Sequence, residues 1–177
     1  MSIASYLQAS GKRTAVISLG VSLHEPDYAG YRAAGGRLLM GDQVTGGVFD
    51  GGRLKAVHTL NLASTPLEAD KFVICTGKYL SKGLVADMDS IYEPALGLDV
   101  EYDTDRDRWF SSDFSSGQRF LGFGLSVDEG YHPRKDGVTI ENLFAAGEIL
   151  AGVDITGEGA VETIGRQALE VAGKIVE

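Results

Sequence analysis

The sequence predicts an α/β fold, and three observations predict it. Two apolar runs, Phe72-Val73-Ile74-Cys75 and Leu143-Phe144-Ala145-Ala146, are continuous rather than alternating, which is the pattern of strands covered on both faces. Each run gives way to small residues and then glycine, at Thr76-Gly77 and at Ala146-Gly147. The chain then closes on Val161, Ile164, Ala168, Val171 and Ile175 at spacings of three and four, the apolar stripe of a helix that leaves Glu162, Arg166 and Glu170 wet.

Taken in order, Ser2 to Ser10 carries Ile3, Leu7 and interspersed alanines and stops at Gly11 beside Lys12 and Arg13, as a short helix would. Thr14 to Leu19 reads as a buried strand. His24-Glu25-Pro26 breaks the chain. Asp27 can then cap a short helix that runs through Tyr31 to Ala34 and stops at Gly35-Gly36. Arg37 to Met40 is expected as a short apolar strand. Val44 to Phe49 and Leu54 to His58 flank Asp50-Gly51-Gly52-Arg53, a hairpin signal, because primed turns need the positive φ that glycine supplies. Residues 78 to 138 are less regular, with turns at Tyr92-Glu93-Pro94 and Gly97-Leu98-Asp99 and an interrupted strand over Phe120 to Val127.

Composition bounds the whole. The 177 residues, 44% of them hydrophobic, suffice for one core, so a single domain over 1–177 is the expectation. A net charge of -9 and a pI near 4.8 argue against nucleic acid or an anionic membrane surface as partner. The single Cys75 excludes an internal disulfide and suits a reducing compartment. No apolar run reaches the roughly 18 residues of a membrane span, so a cytoplasmic chain without direct membrane insertion is expected. The 24 glycines fall between apolar runs, as turns and close approaches do, rather than in a low-complexity tract.

The stretch from Thr139 to Gly165 organises the candidate site. A strand that ends in bare backbone lets a flat ligand approach where a Cβ would block it. Glu148 stands at the carboxyl end of that strand, where open α/β sheets bind ligands, and its carboxylate can accept hydrogen bonds from ribityl or ribose hydroxyls. Beyond it the loop Gly152 to Gly159 delivers the amino end of the last helix, whose N–H groups and dipole favour negative charge such as that of a reduced flavin. Two strands ending alike, at Gly77 and Gly147, suggest neighbouring edges of one cleft. The plainer alternative is a strand, a surface loop and a capped helix with no ligand.

Other chemistry finds no support. His24, His58 and His132 are scattered without metal-ligand spacing, so no metal site is expected. Cys75 lies in an apolar strand, where burial silences a thiol. The acidic run Asp99, Glu101, Asp103, Asp105, Asp107 does not fit a calcium loop. A start at Asp99 puts Thr104 where glycine is required and Phe110 where a bidentate glutamate is required, and a start at Asp103 puts Arg108 at the glycine position. With neither a nucleophile elbow nor a P-loop, hard chemistry falls to a cofactor.

Four blocks carry a resemblance: Phe72 to Gly77, Ser81 to Ala86, Ile91 to Val100, and Gly137 to Gly147. In this order they resemble the B-subunit family of anaerobic glycerol-3-phosphate dehydrogenases, flavoproteins of the two-dinucleotide-binding group. The resemblance covers about residues 31 to 177 and is weaker over Ser2 to Leu23. It implies a Rossmann-like FAD/NAD(P)-binding fold with a mixed sheet, helices and a hairpin. It also implies a flavin, FAD or FMN, held by Thr76 and Gly77 at the first strand end and by Gly147, Glu148, Gly157, Gly159 and Ala160 at the second. It further implies oxidation of sn-glycerol 3-phosphate to dihydroxyacetone phosphate with electrons passed to quinone. The implied partners are a catalytic A-type subunit and an iron-sulfur C-type subunit, the latter bringing the assembly to the membrane. No residue of the matching blocks identifies itself as a catalytic base.

The chain departs from that pattern. It has no G-x-G-x-x-G turn, Met1 stands where that turn has just ended, and the large middle part of the family is skipped between about Leu23 and Tyr31. The expectation is therefore a domain incomplete at its amino terminus. Two alternatives stay open: an assembly module that binds no flavin, and a flavin- or NAD-dependent oxidoreductase acting on another substrate.

Overall fold

The computed structural model describes residues 14–17, 28–62, 64–154, 156 and 159–176, and everything below concerns these. The expected helix over Ser2 to Ser10, the Asp27 cap, residues 18 and 19 of the first strand, and Gly157 lie outside them.

Three parallel strands form the central layer in the order β1 (Thr14–Ile17), β5 (Lys71–Ile74), β12 (Leu143–Ala145). Thr14 pairs with Lys71 and Ile17 with Ile74, while Leu143 pairs with Phe72 and Ala145 with Ile74. Phe72, Val73 and Ile74 are fully buried, as are Leu143 and Ala145, and Phe144 is nearly so. The pleat divides them by face. Phe72, Ile74, Leu143 and Ala145 join the larger core with Leu54, Leu84, Leu125 and Ile149. Val73, Phe144 and Ala146 meet Val171 and Ile175 of the closing helix α2 (Ala160–Val176) on the other face. Continuous apolar runs are thus explained by cover on both sides.

The hairpin β2 (Val44–Asp50) and β3 (Arg53–Thr59) turns at Gly51 and Gly52, both at positive φ, and a two-residue β4 (Leu67–Glu68) pairs with β3 to complete a separate antiparallel sheet. Asn142 joins this sheet to the central one. Its Oδ1 accepts from Leu54 N at 2.8 Å, and its Nδ2 donates to Leu54 O at 2.8 Å and to Asp70 O at 3.2 Å. The remaining pairs are short and antiparallel: β6 (Val85–Ala86) with β7 (Ile91–Tyr92), β8 (Val100–Glu101) with β9 (Gly124–Leu125), and β10 (Arg134–Lys135) with β11 (Val138–Thr139). Between β7 and β8 the buried carboxylate of Glu93 accepts from the amides of Ala95, Leu96 and Leu98 and so ties down that loop.

The short helix α1 runs over Tyr28–Ala33, beginning directly after Asp27. Three expectations are corrected. Arg37 to Met40 is not a strand; no segment pairs with it among the described residues, and Leu39 and Met40 are exposed. Phe120 to Val127 is not one interrupted strand. Residues Arg119–Gly122 form a 3-10 turn whose Gly122 carbonyl is taken by the Gly152 amide at 2.8 Å, Gly124–Leu125 pairs with β8, and Val127 makes a single bridge to Pro133. In α2, Val161 stands half in solvent, so the buried stripe begins later, with Val171, Ala172 and Ile175 at its heart.

Candidate cofactor site

Because β5 and β12 pair in parallel register, they end together. Past their ends come Thr76-Gly77 and Ala146-Gly147, with Gly77 at φ 67° and Gly147 at φ 84°, a region that side-chain-bearing residues rarely enter. A Cβ placed on Gly77 would stand 3.7 Å from Glu148 Oε2, so the two strand ends lie within contact distance. Among the described residues a Cβ on Gly147 would meet nothing within 4 Å, so they leave the space beside it open. Glu148 sits half-buried in a 3-10 turn over Gly147–Ile149 that leaves β12.

Thr76 is fully buried and its hydroxyl has no hydrogen-bond partner among the described residues. A buried polar atom without a partner carries a desolvation cost, and a ligand that supplies the partner removes it. Its carbonyl is engaged, accepting from Ser81 Oγ at 2.6 Å. Gly83 allows this tight return, since a Cβ there would fall 2.1 Å from Gly77 O. Gly159, at φ 75° with open space beside it, precedes Ala160, the first residue of α2, and the Gly159 carbonyl accepts from Thr163 N at 3.0 Å. The amino end of α2, whose first N–H groups have no partner within the helix itself, follows the loop that leaves Ile149, and α2 packs against the Gly147–Ile149 turn. Of the expected site residues, Thr76, Gly77, Gly147 and Glu148 are brought together, and Gly159 and Ala160 stand at the helix start.

The sequence did not single out Lys78, Ser81 or Asp154. Lys78 is buried directly after Gly77, and its Nζ donates to Leu121 O and Val153 O. Burial pushes its ammonium down to about 8, against the opposing pull of Asp154 and Glu148. The hydroxyl and amide of Thr156, at 2.7 and 2.8 Å, hold the Asp154 carboxyl below its usual range, with Lys78 adding to the effect. Burial pushes the Cys75 thiol up to about 12, which leaves it inert near neutrality as expected. The only signal of Lys78 in the sequence is a charged residue placed directly after an apolar strand and its glycine.

The fit to a flavin rests on chemistry these residues supply. Backbone at Gly147 left open by the described residues admits a flat ring, the Thr76 hydroxyl lacks a partner among the described residues, the Glu148 carboxylate can accept from hydroxyls, and a helix amino end favours negative charge. A parallel sheet whose strand ends carry such a set defines a nucleotide-cofactor domain of the flavoprotein class.

Comparison with known proteins agrees. The family described as FAD binding domain matches residues 4–164, and the chain belongs to it. FAD is therefore selected from the two flavins the sequence left open. The chain is similar to the B subunit of anaerobic glycerol-3-phosphate dehydrogenase from Vibrio cholerae, 41% identical over 143 residues, which cover 80% of this chain and 33% of the relative. The corresponding protein of Vibrio vulnificus is 36% identical over 145 residues, with 80% and 33% covered. That of Pectobacterium atrosepticum is 35% identical over 161 residues, with 90% and 38% covered. The chain spans about a third of the length of these curated relatives. No solved structure matches it. Among the described residues no helix is long and apolar enough to cross a membrane.

Proposed function

We propose that this chain is the FAD-binding part of a glycerol-3-phosphate dehydrogenase, serving oxidation of sn-glycerol 3-phosphate to dihydroxyacetone phosphate with electrons passed on to quinone. The observation that carries the proposal is the shared ending of β5 and β12, with Gly77 against Glu148 and, just past β5, a buried Thr76 hydroxyl without a partner among the described residues. Thr76, Gly77, Gly147, Glu148, Gly157, Gly159 and Ala160 are the residues assigned to hold the cofactor. Bound FAD supplies the capacity to accept the two electrons released as the secondary alcohol becomes a ketone. The chain's own residues bind and orient. Gly147 leaves room for the ring, Gly77 lets the chain pass close to Ser81 and Glu148, Thr76 and Glu148 meet polar groups of the ring and its ribityl chain, and the start of α2 stabilises negative charge as it develops.

The names of the relatives, each the B subunit of its dehydrogenase, support a place in a complex with other subunits, which we assign as an A-type catalytic subunit and an iron-sulfur C-type subunit. One domain over 1–177 remains part of the proposal. Dye reduction with glycerol 3-phosphate, measured with and without the partner subunits, tests it. Turnover of glycerol 3-phosphate that requires this chain supports the assignment. Turnover of a different hydroxy acid, with none of glycerol 3-phosphate, contradicts the substrate.

A further inference from the structure

Lys78 leaves the end of β5 directly behind Gly77 and is only 8% exposed. Lysine is almost never this buried unless its donors are spent. Here two are, on carbonyls that belong to different segments: Leu121 O, in the 3-10 turn Arg119–Gly122, and Val153 O, in the stretch between Ile149 and α2, each at 2.5 Å. Those segments also touch each other. Gly152 N–H donates to Gly122 O at 2.8 Å, Ala151 N–H donates to Leu125 O at 3.0 Å, and Leu125 bridges Leu150 in parallel. Gly124 permits the approach, since a Cβ there would lie 2.4 Å from Ile149 O. One ammonium therefore fastens three pieces of chain beside the ends of β5 and β12, with Asp154 and Glu148 as neighbouring negative charges.

We infer that Lys78 is a positioning residue for the cofactor site: bridging the carbonyls of Leu121 and Val153, it holds residues 150–154 against the end of β5, so that the backbone facing FAD is set before FAD arrives. The step toward FAD rests on the proposed function; the clamp itself does not. A compact ammonium with three donors can span two carbonyls of unrelated segments, and methionine of similar length cannot donate at all. A buried lysine that merely fills space would give a different result, because its loss would loosen the whole sheet rather than one flank.

Amide hydrogen exchange on the whole chain tests this, for wild type, Lys78→Met and Lys78→Arg, each with and without FAD. The expected result in Lys78→Met is exchange faster by about tenfold at Ala151 and Gly152, the scale of one lost charge-assisted hydrogen bond, with no change at Phe72 and Ala146 in the sheet. Lys78→Arg restores protection, and FAD affinity falls and recovers in step. Unchanged exchange at Ala151 and Gly152, or a uniform rise across the sheet, overturns the clamp. Should Lys78→Met not fold, Lys78→Leu, which likewise has no donor, is read by the same criteria. A wild-type chain that takes up no FAD removes the proposed cofactor function, and the exchange pattern still decides the clamp.

Discussion

At the scale of single residues, the site is built from what side chains lack as much as from what they offer. Gly77 and Gly147 supply backbone at positive φ, and Gly83 makes room for the carbonyl of Gly77, where any Cβ would collide with main chain. Lys78 adds an energetic cost that pH can expose. Its ammonium is held near 8 in the folded chain against an ordinary 10.5, so the charged form is disfavoured by folding. The unfolded chain binds more protons between these values, so this contribution raises stability as pH climbs from 8 toward 10.5, by about 3 kcal/mol at most. Cys75 and Tyr79 act in the opposite direction. Burial lifts both to about 12, and the stability they contribute is full below 9.0 and 10.0 respectively and fades as pH rises toward 12. The difference between wild type and Lys78→Met isolates the lysine. Denaturant unfolding at a series of pH values should show the gap between the two proteins widening in favour of wild type from pH 8 to 10.5. A gap that stays flat contradicts the buried-cation account.

At the scale of elements, what the sequence disclosed and what it concealed have separate physical causes. β5 and β12 were legible because burial on both faces leaves an unbroken apolar run, and the hairpin because Gly51 and Gly52 admit no other turn so readily. Glu148 and the glycines of the site were legible by their place at strand ends. Arg37 to Met40 misled because apolar content alone cannot make a strand without an edge to pair with. The turn over Arg119–Gly122 misled because its hydrogen bonds go to Gly152 and Trp109, remote in sequence. Lys78 and Asn142 were missed for the same reason: their partners are backbone groups that only the fold brings near. Asn142 offers the direct test. Its amide satisfies both Leu54 N and Leu54 O inside the protein, so Asn142→Ala leaves a buried donor and acceptor unpaired. The expected loss is about 2 to 4 kcal/mol, read from chemical denaturation, and a loss under about 0.5 kcal/mol would show that the hairpin does not depend on that bridge.

At the scale of the whole molecule, the parallel sheet, the hairpin and α2 place the ends of β5 and β12 beside the start of the closing helix, the arrangement that membership of the FAD binding domain family implies. The glycerol-3-phosphate chemistry belongs to relatives about three times longer than the matched region, which is why substrate and partners are proposed and the cofactor family is not. The central claim concerns the open backbone at Gly147. A Cβ at that position meets no atom of the described residues within 4 Å, and the same holds at Gly137, which has a similar positive φ of 76° and lies in the turn between β10 and β11. Alanine at either position costs about 1 to 2 kcal/mol of left-handed strain, so the pair separates strain from ligand contact. FAD titration, followed by flavin fluorescence on wild type, Gly147→Ala and Gly137→Ala, gives the most direct test. Open backbone at Gly147 predicts binding by wild type and Gly137→Ala and affinity reduced by about tenfold or more in Gly147→Ala at matched thermal stability. Equal affinity in all three proteins, or no uptake of FAD by any of them, would contradict it.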